Sequence, residues 1–253
     1  MPARYEPELR PVLAPLTNDL RDVLADDLVG LYLYGSAVSG GFDHGVSDID
    51  LVAVTERPVA ELDLTELDGV HRRFVERDPS WHDRLEIVYA ARSTLSAPTG
   101  EDRIAVISPG EPFHLTGPAS DWLQNWYLVQ ETGVPLVGPP ARQVIAPLSR
   151  ADYLGAVRAY LGYLRNAGPS SYAVLSACRA VRTLDTGKPC TKQEGAAWAA
   201  DRYPEWRWLI DAALEDRRLR GKLSFGDREM LEAARTFVEL LAESVKLNRL
   251  PRP

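Results

Sequence analysis

The chain has 253 residues, 45% of them apolar and 26% charged, the composition of a soluble globular protein of one or two domains with enough apolar material for a real core. Its 29 lysines and arginines stand against 36 acids, and a net charge of −7 disfavours DNA or RNA as a partner while suiting a cationic small molecule. No stretch approaches the ~18 apolar residues of a membrane span, and the segment Met1 to Glu8 has no apolar leader pattern, so a cytoplasmic protein is expected. Cys178 and Cys190 lack metal-ligand spacing, which indicates neither a zinc site nor a disulfide framework.

Residues 7 to 27 carry Leu9, Val12, Leu13, Leu16, Leu20, Val23 and Leu24 at three- and four-residue spacing, which predicts an amphipathic helix despite Pro11 and Pro15. Val29 to Tyr34 reads as a strand that stops at Gly35-Ser36, and Gly40, Gly41 and Gly45 mark the connection that follows. Asp50 to Val54 and Leu85 to Tyr89 read as two more strands, with a helix over 59 to 77 between them. Beyond Tyr89 the pattern turns irregular through Pro98, Pro109, Pro112 and Pro118, and Gly138-Pro139-Pro140 with Pro147 announces a boundary.

The second half is helical. Leu154, Val157, Leu161 and Leu164 form one stripe, and Leu175, Cys178, Val181 and Leu184 a second that ends at Gly187. Thr191 with Glu194 three residues later is a capping-box pattern opening a helix through Trp198, and a last helix runs from Asp227 to about Leu247. The expected fold is therefore α+β: a domain over residues 1–148 with a small mixed sheet, then an all-helical domain over 149–253. A cleft for a small ligand is expected between two such domains.

The chemistry concentrates in three strand-borne segments. Side chains two apart on a strand share a face, so Asp48 and Asp50 can present both carboxylates together while Ile49 turns to the core. Two such acids repel unless a cation lies between them, and hard oxygen ligands favour Mg²⁺ completed by substrate phosphates. Glu86, between Leu85 and Ile87, can add a third carboxylate from a neighbouring strand. Gly35-Ser36 at a strand end offers backbone amides and a hydroxyl to phosphate oxygens. Together these parts describe a two-metal in-line displacement on a nucleoside triphosphate. Each part has a bland alternative: Gly-Ser is common loop chemistry, Asp-x-Asp often marks a turn, and a lone Glu86 could be a satisfied half-buried acid. The ordered set is harder to obtain by chance.

This set resembles the nucleotidyltransferase superfamily related to DNA polymerase β, and residues 173–201 resemble the C-terminal domain of aminoglycoside adenylyltransferases that inactivate streptomycin and spectinomycin. The resemblance spans nearly the whole chain, is strong at the metal motif and poor between residues 90 and 125. It implies that Asp48 and Asp50 hold Mg²⁺, with Glu86 beside them as metal ligand and general base, and two ions in all. It implies ATP as co-substrate, with Gly35, Ser36 and Ser47 at the triphosphate and Arg179 and Lys192 reaching the nucleotide. Arg179 and Lys192 have structural alternatives as ion-paired or solvated residues. The acceptor site is expected to draw on Trp122 (with Trp126 an unaligned alternative), Tyr172 and Asp185. Streptomycin-modifying members resemble one another in an acidic loop before the Arg179 helix, where this chain has Gly168-Pro169-Ser170-Ser171-Tyr172. The expectation is therefore an adenylyltransferase, monomeric, acting on a compact aminocyclitol such as spectinomycin, with transfer to a protein or another non-drug hydroxyl as the alternative. His44, His71, His82 and His114 are scattered and read as structural or solvated, with His114 the one candidate near a cleft.

Overall fold

The computed structural model describes residues 5–96, 101–118, 122–219 and 225–247. The chain divides into two compact units, Met1–Leu148 and Ser149–Pro253. In the first, the elements run α1 (Arg10–Leu24), β1 (Leu28–Tyr34), α2 (Ser36–Ser39), β2 (Ile49–Thr55), α3 (Leu64–Arg77), β3 (Leu85–Ala91), α4 (Arg92–Ser96), β4 (Ile104–Ser108), β5 (Glu111–Thr116), α5 (Trp122–Thr132) and β6 (Val134–Val137). The strands form one sheet in the order β5-β4-β3-β2-β1-β6. Only β2 and β3 pair parallel, the crossover between them being α3, and the other described pairs are antiparallel.

The period of two along each strand sorts the side chains cleanly. Leu31, Leu33, Ile49, Leu51, Ala53, Leu85, Ile87 and Tyr89 face one way, against Leu13, Leu16, Leu20 and Leu24 of α1 and Leu67, Val70 and Phe74 of α3. Full burial of one such leucine contributes about 1.5–3 kcal/mol, which explains how α1 persists through the missing amide of Pro15. The alternate residues Tyr32, Tyr34, Val52, Val54, Val88 and Ala90 face the other way, against Trp126 and Val129 of α5 and the segment Ala141, Val144 and Ile145.

The helix expected over 59 to 77 begins later, because the Asp63 carboxylate caps it by accepting the Glu66 amide at 3.0 Å; Val59–Glu61 is a separate 3₁₀ turn. Where irregular structure is expected after Tyr89, the described residues form β4 and β5, a hairpin across Pro109-Gly110; Pro98 lies outside the described residues. Pro112 sits in the edge strand β5 and Pro135 in the edge strand β6, where an amide lost to proline breaks no central ladder.

The second unit contains α6 (Arg150–Leu164), α7 (Ser171–Thr186), α8 (Lys192–Arg202), α9 (Arg207–Arg218) and α10 (Arg228–Lys246). Gly187 closes α7 at φ +65°, and the Thr191–Glu194 capping box opens α8. α9 is absent from the sequence expectations, since its charged positions dilute a stripe of Leu209, Ile210 and Ala213. Among the described residues no helix is long and apolar enough to cross a membrane.

Candidate active site

The strand register assembles one polar row across the sheet. Tyr34 lies opposite Asp50 on β1 and β2, and Asp50 lies opposite Glu86 on β2 and β3. Continuing the β3–β4 register by one pair beyond Ile87 and Ile107 brings Ser108 beside Glu86. The Tyr34 hydroxyl reaches over the intervening strand and donates to Glu86 Oε1 at 3.0 Å, while the Ser108 hydroxyl donates to Oε2 at 3.2 Å. Both carboxylate oxygens are thus oriented by a hydroxyl. The row belongs to the Tyr32/Val52/Val88 face and lies at the end of the sheet where β1 finishes and β2 and β3 begin.

Gly35 follows Tyr34 directly, at φ +67°, a conformation a side chain disfavours. A Cβ there would lie 2.0 Å from Asp50 Oδ2, so the glycine is required both for the turn and for the space the carboxylate occupies. The amides of Val38 and Ser39 bond back to the Gly35 carbonyl and shape the short α2 that Ser36 opens. Asp48 stands one residue before β2, two residues from Asp50, and is half-buried like Asp50 and Glu86.

Carboxylates directly opposite one another on neighbouring strands destabilise a sheet unless a cation compensates them. Asp50 and Glu86 are such a pair, with Asp48 adjacent, and an all-oxygen donor set of this kind suits Mg²⁺. Among the described residues no three acidic, histidine or cysteine side chains are drawn together into a ready-made metal cage. The donor set therefore fits an ion that takes its remaining ligands from phosphate oxygens or water.

Ser47 lies just before Asp48 in the turn that leads into β2. It is 2% exposed, and its Oγ accepts the Asp43 amide at 2.9 Å, which makes it a brace of the turn before Asp48.

In the helical unit, Arg179 lies half-buried on α7 within electrostatic reach of Tyr160, Tyr172 and Tyr153. The Tyr160 and Tyr172 hydroxyls are 2.7 Å apart, and burial pushes the Tyr160 hydroxyl to a pKa well above the usual tyrosine range. Lys192 Nζ rests 4.4 Å from the centroid of the Tyr172 ring. Gly195 permits this grouping: a Cβ there would come within 2.6 Å of Arg179 Cα, so the missing side chain lets α8 approach α7 and sets Lys192 nearby. Arg179, Lys192 and Tyr172 are thus gathered in one place, with Tyr172 54% exposed.

Residues 18–97 match the nucleotidyltransferase domain family, and residues 143–244 match the family described as aminoglycoside adenylyltransferase, C-terminal domain. The chain belongs to the aminoglycoside nucleotidyltransferases. It is a nucleotidyltransferase enzyme. Its fold is similar to that of spectinomycin adenyltransferase AAD(9) from Enterococcus faecialis, solved with ATP and spectinomycin, at a TM-score of 0.75 and 18% identity over 93% of this chain and 98% of that one.

Four further placements bear on this aminoglycoside nucleotidyltransferase. Asp185 was expected to meet a cationic acceptor, but Arg202 lies 3.9 Å from its carboxylate and itself stacks on Trp198 at 4.3 Å, so its charge is already answered within the helical unit. Trp122 and Trp126 stack with centroids 5.9 Å apart on the carboxylate-bearing side of the sheet; Trp126 is a core residue, which leaves Trp122 as the more accessible ring. In the loop before α7, the Ser170 side chain accepts the Ala173 amide at 3.1 Å and serves as the helix cap. Of the histidines, His114 is tied to its own strand through Nδ1 and the Pro112 carbonyl at 2.8 Å.

Sequence reasoning missed Tyr34 and Ser108. Tyr34 is hidden in an apolar strand. Ser108 lies in the region that prolines disguised. Both could have been found only by pairing the strands.

Proposed function

We propose that the enzyme transfers AMP from ATP to a hydroxyl of a compact aminocyclitol antibiotic, spectinomycin in preference to streptomycin. The observation that carries this reading is the row of Asp50 and Glu86 in register, with Asp48 one step before the strand and Gly35 opening space beside Asp50. Asp48 and Asp50, with Glu86 beside them, would hold Mg²⁺, two ions in this reading; bound there, it supplies charge neutralisation for the triphosphate and polarises the acceptor hydroxyl. Gly35 and Ser36 receive phosphate oxygens, with Ser47 shaping the turn behind them. Glu86, its carboxylate aimed by Tyr34 and Ser108, accepts the proton as the acceptor oxygen bonds to the α-phosphorus. The bond from that phosphorus to the β-phosphate bridging oxygen breaks, and pyrophosphate leaves.

From the helical unit, Arg179 and Lys192 serve the nucleotide phosphates, and Tyr172 offers a ring face. Trp122 and Tyr172 are assigned to the acceptor, and Asp185 only if Arg202 yields to it. A desolvated guanidinium left without a carboxylate costs several kcal/mol, and the Ser170 cap offers streptomycin none. The reading includes a cytoplasmic monomer that binds no nucleic acid, in keeping with the excess of acids. ATP labelled separately at the α- and γ-phosphorus tests it. Label should reach spectinomycin from the α position only; γ-label on the drug would make the enzyme a kinase, and no label on any aminoglycoside would favour a protein or other non-drug hydroxyl as the acceptor.

A further inference from the structure

Arg84 has no part in the chemistry described so far, yet the residue, immediately before β3, is only 5% exposed. Its Nε and Nη2 donate to the Ser47 carbonyl at 3.1 and 2.6 Å, Nη2 also donates to the His44 carbonyl at 2.8 Å, and Nη1 donates to the Ser80 carbonyl at 3.3 Å. The guanidinium lies 4.3 Å from the centroid of Trp81, which packs among Phe42 and Phe74. A planar fork held on an aromatic face and divided among three carbonyls has little freedom left.

What it grips is specific. The Ser47 carbonyl belongs to the peptide whose nitrogen is that of Asp48. On the far side, the Ile49 amide donates to the Arg84 carbonyl at 2.9 Å. Arg84 therefore brackets Asp48 from both sides, with its side chain before the residue and its main chain after it. Asp48 immediately precedes the first residue of β2, and the turn behind it is closed by the Val46 and Ser47 amides on the Asp43 carbonyl at 2.9 and 2.7 Å.

We infer that Arg84 is the positioning residue for Asp48: its guanidinium fixes the Ser47–Asp48 peptide so that the carboxylate meets the metal in one orientation. The inference rests on the proposed reading of Asp48 as a metal ligand. Groups that orient a metal ligand typically matter about 10–100-fold in metal affinity or activity.

The test uses the full chain, wild type beside Arg84→Gln, Arg84→Lys and Asp48→Ala. Amide exchange of Val46, Ser47 and Ile49 is followed in the metal-free protein. Mn²⁺, titrated by EPR with a non-hydrolysable ATP analogue present, reports the metal site. Arg84→Gln should lose protection at the turn amides and bind Mn²⁺ about 10–100-fold more weakly. Arg84→Lys, which keeps the charge without the fork, should fall between it and wild type. Wild-type Mn²⁺ affinity in Arg84→Gln, or undiminished protection of the turn, overturns the inference while Asp48→Ala remains defective. If Arg84→Gln does not fold, Arg84→Lys carries the same criteria. Wild-type Mn²⁺ affinity in Asp48→Ala removes the metal-ligand reading itself and the positioning role with it.

Discussion

The two faces of the six-stranded sheet are written by alternate residues of the same strands, and they do different work. One face carries Leu31, Leu33, Ile49, Leu51 and Ile87 beneath α1 and α3 and is closed by apolar contact from end to end. The other is apolar under α5 but ends in Tyr34, Asp50, Glu86 and Ser108. Stability and chemistry are thus separated by one residue along each strand, and a substitution on one face should leave the other property largely intact.

The largest effect expected is on the polar row. Asp50→Ala, or Asp48→Ala, should lower turnover at least ~10³-fold, equivalent to ~4 kcal/mol of transition-state stabilisation, with the thermal midpoint nearly unchanged because both residues sit half-buried at a strand end. Near-normal turnover in either variant would break the division between faces. Next comes Glu86→Gln, which keeps shape and neighbours but cannot accept a proton. Steady-state rates should drop ~10²–10⁴-fold with ATP binding retained; a defect confined to nucleotide affinity would assign Glu86 to the metal alone.

The same strand supplies the reverse experiment. Ile87→Ala, one residue from Glu86 and facing α1 and α3, should cost ~2–5 kcal/mol in denaturant unfolding while the folded fraction turns over normally.

The smallest effect is in pH. His71 of α3 is buried with Nε2 2.7 Å from the Tyr89 hydroxyl, and burial pulls its pKa down to about 4. The folded protein keeps this imidazole neutral, whereas the unfolded chain protonates it below its ordinary value near 6.5. Its contribution is therefore complete above about pH 6.5 and is lost as pH falls towards 4, by up to ~3 kcal/mol. Thermal unfolding of wild type and His71→Asn across that window checks the sign: the variant should show the flatter profile.

Much of this division was legible in the sequence. The β1, β2 and β3 runs, the Asp48/Asp50 alternation around Ile49, the α7 stripe ending at Gly187 and the Thr191 capping box are all local signals, set by residues a few positions apart. What was not legible depends on pairing. Ser108 became part of the site only because β4 lies beside β3, and β4 itself was masked by Pro109 and by Pro112 in the edge strand. Asp185 carries the right chemistry for a cation but meets Arg202, which is 17 residues away on another helix. Arg84 has no role in the sequence reading because its partners, Ser47, His44 and Ser80, are backbone carbonyls that a residue-type argument does not see.

The proposed reaction is adenylyl transfer to a compact acceptor at the carboxylate row. Pyrophosphate release by the wild-type enzyme with ATP and Mg²⁺, measured in parallel with spectinomycin and with streptomycin at matched concentrations, tests it most directly. Acceptor-dependent release is expected with spectinomycin and weaker or no release with streptomycin; faster release with streptomycin would overturn the acceptor assignment, and release with neither would overturn adenylyl transfer to an aminocyclitol.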